Sequence, residues 1–374
     1  MGLITSGLPD FPWDTLAPHA RRARAHPDGI VDLSVGTPVD PTPELVRQAL
    51  ASAADAPGYP TTHGTRELRE AAVAWLARRR RARVDPEAVL PTVGSKEIVA
   101  ALPALLGLGA GDVVVHPEVA YPTYDVGARL AGAAALPADD VRAWAGRHDV
   151  RLVWLNSPAN PTGRVLDVDG LREVVVAARA AGAVVASDEC YGLLAWDEPW
   201  ATEGVPSVLD PRVCDGDHTD LLVVQSLSKQ SNLAGYRAGF VAGDQRLVSR
   251  LLEVRKHAGM MVPAPVQAAA AAALADDEHV VRQADRYRRR RAALVGAFSE
   301  AGYVVDDSVA GLYLWLRPPG PGQDCWQTVA DLAELGILVA PGAFYGPQGV
   351  RHVRAALTAS DEDVARAVAR LTGA

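Results

Sequence analysis

The sequence predicts an α/β protein in which a large domain, built on a mostly parallel sheet, is joined to a smaller α+β domain. Three observations carry that expectation. Between about residues 85 and 245, short β-branched runs alternate with helical patterns, as in strands joined by crossover helices. Asn160, Asp188 and Lys229 each stand at or just beyond the C-terminal end of an apolar run, the edge where open α/β sheets hold ligands. From residue 276 the rhythm changes to one long helical pattern followed by short strands and helices.

Residues 1–40 are proline-rich and have no core of their own, so they are expected to contribute to the small domain and the interface. The large domain is expected over 41–275 and the small domain over 276–374. VVVHP (113–117), RLVWLN (151–156), AVVASDE (183–189) and LLVVQSL (221–227) read as buried strands. VDGLREVVVAARAAG (168–182) reads as a helix stopped by Gly182. GLGAGD (107–112) precedes its strand, whereas a dinucleotide fingerprint follows one, so it reads as a turn. That order argues against a nicotinamide-dependent dehydrogenase. In the last part of the chain, a helix is expected near 276–301 and another near 324–335. GLYLWLR (311–317), ILVAPG (337–342) and RHVRAAL (351–357) read as extended segments, and Ser360-x-x-Asp363 announces a final helix.

The formal net charge of −8 argues against a nucleic-acid partner. Two arginine clusters, Arg78–Arg81 with Arg83 and Arg286 with Arg288–Arg291, read as solvated helix faces. Three cysteines without a CxxC pair fit a reducing compartment and no disulfide framework. MGLITSGLPDFPW lacks the regions of a signal peptide, and QAAAAAALA from Gln267 is too short to span a bilayer. A soluble cytoplasmic protein without membrane attachment is therefore expected. The histidines form no HxxxH pair or Cys/His cluster, so no metal site is expected.

The chemistry concentrates in SLSKQSNLAGYRAGF (226–240). A lysine is costly to bury unpaired, and here hydroxyls flank it with Arg237 close behind. Such a stretch suits either an anion socket or a lysine held for chemistry. Lys229 can act as a nucleophile where burial and a nearby cation keep its amine partly neutral. Asp188, ending an apolar strand, needs a cationic or hydrogen-bonding partner, and Tyr191 can offer its phenol to the same place. Singly, Asp188 fits a helix cap, Asn160–Gly163 a turn, and Lys229 a surface ion pair; placed together they converge on one crevice. Cys190, between two of these residues, reads as a small buried thiol packed behind them.

NSPANPTG (156–163), SDECYG (187–192) and SLSKQSNLAGYRAG (226–239) resemble, in order and spacing, the three central signatures of the class I/II, fold-type I aminotransferases that use pyridoxal 5′-phosphate (PLP). The resemblance runs from DLSVGTPVDPTP (32–43) to HVRAALT (352–358). It implies the aspartate aminotransferase-like fold with a seven-stranded sheet. By that resemblance Lys229 carries the cofactor covalently, Asp188 pairs with its pyridine nitrogen, and Asn160 and Tyr191 bond its phenolic oxygen. Ser226, Ser228 and Arg237 would hold the phosphate, with Gly94, Ser95 and Lys96 of VGSKE at a helix N-terminus. Tyr121 would stack on the ring, and Tyr59 would reach the phosphate of a neighbouring subunit in a homodimer. Arg354 would clamp the substrate α-carboxylate, with Asn160 beside it and Gly36 leaving room.

A closer resemblance is to an actinobacterial branch of succinyldiaminopimelate aminotransferases. FPWDTL (11–16), HPDGIVDLSVGTPVDP (26–41), GYPTTHGT (58–65), VCDGDHT (213–219) and RKHAGMMVPAPVQAA (255–269) carry it. It implies amino transfer between N-succinyl-LL-2,6-diaminopimelate and 2-oxoglutarate. The alternatives within the fold are free LL-diaminopimelate, aspartate or an aromatic amino acid as donor, or carbon–sulfur lysis. Outside enzymology, the alternative is a PLP-binding regulator. Lys256 and His257 either border the far end of the substrate, with Met260 and Met261, or end a helix facing solvent.

Overall fold

Seven strands form the large sheet, in the spatial order Val89–Val93, Ala238–Gly243, Leu221–Ser226, Val184–Asp188, Val150–Asn156, Val113–His116 and Ala134–Pro137. This is a computed structural model, and it describes residues 8, 9, 11–320 and 322–373. Ala238–Gly243 runs antiparallel to both neighbours, and every other pairing is parallel. The four runs rich in Val and Leu lie side by side in the centre, where both faces are covered. Pro91 sits in the edge strand Val89–Val93, the place where a missing N–H disturbs the ladder least.

Helices cover both faces. Trp75 and Leu76 of Arg66–Arg80 and Leu171 and Val175 of Val168–Ala181 pack on one face. Ile98, Val99, Tyr124 and Leu251 pack on the other. Gly182 ends its helix in the left-handed conformation, at φ 69°.

A separate core gathers Leu16, Val31 and Leu33 of the N-terminal segment with Tyr287, Leu294, Phe298, Leu314 and Val353. Val31–Asp32 pairs in parallel with Ile337–Leu338. Beside it stands an antiparallel sheet ordered Ala340–Pro341, Val353–Ala356, Tyr313–Arg317 and Val304–Asp306. The helix Glu278–Glu300 crosses this core, and the Ser360 hydroxyl caps the last helix by accepting from the Asp363 N–H. Among the described residues no helix is long and apolar enough to cross a membrane.

The arginine clusters are not simply solvated faces. Arg80 is buried and donates to Glu189 at 2.8 Å and to the carbonyls of Gly192, Val205 and Pro206. Arg290 is buried against Asp40 and Asp361 at 2.6–2.8 Å. Each partner lies far away in sequence, so the helical pattern of charge around the arginines carries no sign of it.

Candidate active site

The C-terminal ends of the central strands open into a cavity of about 720 Å³, closed on another side by Tyr313 and Arg354 of the antiparallel sheet. Of the residues expected from the sequence to bind cofactor or substrate, twelve line it: Gly36, Ser95, Lys96, Tyr121, Asn160, Asp188, Tyr191, Ser226, Ser228, Lys229, Arg237 and Arg354; Cys190, expected behind them, lines it too. Gly94, next to Ser95 in the chain, does not line it. Tyr59 does not line it, and instead stands 97% exposed.

Asp188 ends its strand with a buried carboxylate that accepts from the Tyr124 hydroxyl at 3.0 Å and the Cys190 N–H at 3.2 Å. No basic side chain pairs with it among the described residues. Burial raises its pKa above the ordinary carboxylate value, against the hydrogen bonds that lower it. The Tyr124 phenol is pushed well up by the same burial and by the Asp188 charge. Tyr124 is the second tyrosine of YPTY, and its place in the site was missed in the sequence. Cys190 is buried beside the carboxylate, and burial raises its thiol far above the usual range.

Ser226 ends the neighbouring strand and caps the short helix Leu227–Gln230, its hydroxyl accepting from the Ser228 N–H and donating to the Ser228 Oγ at 2.9 Å. Lys229 projects from that helix and donates to the Gly36 carbonyl; it forms no ion pair among the described residues. Arg237 donates to the carbonyls of Ala234 at 3.1 Å and Val93 at 3.4 Å. The helix Gly94–Leu105 begins alongside with no side-chain cap, which leaves first-turn N–H groups for an anion. Gly94 has φ 70°, and a Cβ there would collide with the Arg237 guanidinium, so both its backbone and its missing side chain matter.

Arg354 enters from the antiparallel sheet on Val353–Ala356 and is buried. It donates to the Asn160 Oδ1 at 2.9 Å and the Ser34 carbonyl at 2.6 Å, while its Nε finds no acceptor. Its guanidinium lies 3.9 Å from the centre of the Tyr313 ring, and no carboxylate pairs with it among the described residues. Tyr313, a second residue missed in the sequence, brings its hydroxyl within 3.3 Å of the Tyr191 hydroxyl. It also fills the space that Gly36 leaves, since a Cβ at Gly36 would collide with the phenol. Burial raises the Tyr191 phenol well above its usual value. At Tyr313 burial acts the same way, but the Arg354 and Lys229 charges outweigh it and lower the phenol.

Phe11 and Trp13 also line the cavity, close to Lys96 and Tyr121. The Lys96 Nζ lies 5.7 Å from the centres of both the Phe11 and Tyr121 rings and has no ion-pair partner among the described residues. The Trp13 indole N–H is buried without an acceptor. Both aromatics belong to FPWDTL, whose signal in the sequence was of lineage and not of contact. Lys256 ends the helix Gln245–Ala258 in an ion pair with Glu253 at 2.7 Å, and neither it nor His257 lines this cavity.

The profile of the aminotransferase class I and II family matches residues 28–371. The chain is 61% identical to a probable aminotransferase of Mycobacterium tuberculosis, over 99% of this chain and 87% of that protein. It is 58% identical to the 4-dedimethylamino-4-oxo-anhydrotetracycline transaminase OxyQ of Streptomyces rimosus, over 98% of this chain and 99% of that protein. Among solved structures, an aminotransferase from Neisseria meningitidis superposes with a TM-score of 0.89 at 31% identity, covering 100% of this chain and 98% of the other. A probable N-succinyldiaminopimelate aminotransferase from Thermus thermophilus superposes with a TM-score of 0.86 at 30% identity, covering 97% and 100%. Family profile, relatives and fold agree: the chain belongs to the class I and II aminotransferases, which depend on pyridoxal 5′-phosphate.

Proposed function

We propose that this chain transfers an amino group from N-succinyl-LL-2,6-diaminopimelate to 2-oxoglutarate. One observation carries the reading: a buried carboxylate without a cation, a primary amine and a buried guanidinium without an anion share one cavity. The residues fit the cofactor. Asp188 lacks the cation that a pyridinium nitrogen provides, and the uncapped helix at Gly94 lacks an anion that a phosphate provides.

When bound, pyridoxal phosphate supplies an electron sink for charge developing at the substrate Cα. Asp188 would hold the ring nitrogen and keep it protonated. Ser95, Ser226, Ser228, Arg237 and the first-turn N–H groups would hold the phosphate, with Tyr121 over the ring. Asn160 and Tyr191 would fix the phenolic oxygen, the latter supported by Tyr313. Lys229 would anchor the cofactor and, once released by substrate, move the proton at Cα. Arg354 would clamp the α-carboxylate shared by donor and acceptor through its planar fork.

For the donor, the Lys96 amine, without an ion-pair partner among the described residues, and the Trp13 N–H offer a distal carboxylate and an amide their partners. The likeness to the Thermus protein supports this choice. A second reading rests on the aromatic wall of Phe11, Trp13 and Tyr121 together with the likeness to OxyQ: a polycyclic aromatic ketone as amino acceptor. Initial rates over a donor panel separate the two. The succinylated donor should exceed free LL-diaminopimelate, aspartate and aromatic amino acids in kcat/KM by roughly tenfold or more. Preference for an unsuccinylated donor, or productive amination of a polycyclic ketone alone, would overturn the first reading.

The proposed working unit is a cytoplasmic homodimer of two-domain subunits divided near residues 40 and 275. The exposed Tyr59 would serve the partner's phosphate site, and three free, buried cysteines agree with a reducing compartment.

A further inference from the structure

A second cavity, of about 370 Å³, lies beside the turn that follows Lys229, between residues 41–47 and the first turns of Glu278–Glu300. It shares no lining residue with the first cavity. Its charged side chains are unbalanced: Arg47, Arg282 and Arg286 face it against a single carboxylate, Glu44. Arg47 engages Glu44, and Arg282 engages Glu278 at 3.2 Å. Arg286 donates only to the Gln283 amide oxygen, at 3.3 Å, and has no ion-pair partner among the described residues.

An independent sign comes from Gln230, which lines the same cavity. The residue is 3% exposed, yet its Nε2 has no acceptor among the described residues. Such a buried donor costs free energy until an acceptor arrives. An unpartnered amide donor and an arginine without an ion pair among the described residues therefore border this space, and the arginine fork suits a phosphate. The volume is larger than a bare phosphate needs. We propose that this cavity binds a phosphate monoester, its dianion held by Arg286, Arg47 and the Gln230 amide.

The place gives the ligand a route to catalysis. Gln230 follows Lys229 in the chain, and the Tyr287 hydroxyl lies 3.3 Å from both the Lys229 carbonyl and the Asn232 Oδ1. Asn232 in turn donates to Gln283 at 2.9 Å, and Gln283 to Asp40 at 2.7 Å. A ligand on Gln230 and Arg286 thus bears on the turn that presents the lysine.

The test is calorimetric titration of the cofactor-loaded enzyme, in buffer free of phosphate and sulfate, with glycerol 3-phosphate and separately with inorganic phosphate. One saturable site per chain is expected, and Arg286→Ala should weaken it roughly tenfold or more, as loss of a charge-assisted hydrogen bond does. Arg286→Lys should recover part of the affinity. Transamination by Arg286→Ala in the absence of phosphate should match the parent, which shows that the variant is folded. Tighter binding of the ester supports the proposal as stated; equal affinities identify free phosphate as the occupant. Absence of saturable binding of either, or an affinity indifferent to Arg286→Ala, overturns it.

Discussion

Asp188 is an ionisable group that the cofactor-free chain holds at a cost. Its folded pKa stands above the ordinary carboxylate value because burial strips water from the charge. The folded chain therefore keeps a proton that the unfolded chain releases, and stability falls as pH rises from the ordinary value through the raised one. Asp188→Asn removes that loss. Cofactor-free Asp188→Asn should melt above the cofactor-free parent at pH 7, the difference closing in acid, while transamination is lost. Identical melting at pH 7 would contradict the account of this carboxylate. Arg354 works in the opposite sense, as a buried cation waiting for an anion. Arg354→Ala should raise the activation free energy reported by kcat/KM in both half-reactions by about 2–5 kcal/mol, the usual cost of truncating a buried charge-pair partner. Single-turnover rates with the amino donor and with 2-oxoglutarate check this; a loss confined to one of them would remove Arg354 from the shared clamp.

At the level of elements, what could be read in the chain follows from how much of an element's partner is local. The four central strands announce themselves because strands covered on both faces are rich in Val and Leu. The other three do not: AALP at one edge, VLPTV at the other and the small-residue AGFVAG look like coil or turn. Most site residues were legible because the strand ends gather them. Tyr124 and Tyr313 were not, because their hydroxyls matter only through partners 64 and 122 residues away. Arg80 was misread for the same reason. It ties the last turn of Arg66–Arg80 to Glu189, which directly follows Asp188, with both side chains almost wholly buried. Arg80→Ala should destabilise the protein by about 3–5 kcal/mol, because it leaves the buried Glu189 carboxylate without its cation, held only by the neutral donors Ser207, Val208 and Gln225. Urea denaturation measures that loss, and a change below about 1 kcal/mol would show the pair to be dispensable.

For the whole molecule, the exposed Tyr59 is informative because it stands 97% exposed against the described residues of its own chain. In the proposed homodimer it completes the partner's site, the isologous arrangement usual for twofold assemblies. Sedimentation at assay concentration should show a dimer, and Tyr59→Phe should lose cofactor faster on dialysis while keeping its fold. A fully active monomer would remove the shared site.

The claim on which everything else depends is that Lys229 carries the cofactor, and the chain makes its test clean. It contains three lysines, Lys96, Lys229 and Lys256. Borohydride reduction of the yellow, cofactor-loaded protein fixes the cofactor to whichever lysine holds it, and tryptic mass mapping then locates it. Modification at Lys229 blocks cleavage there, so the account predicts one labelled fragment running from Val213 to Arg237, and none in Lys229→Ala. Label on the fragment containing Lys96 or Lys256, with cleavage after Lys229 intact, would contradict it.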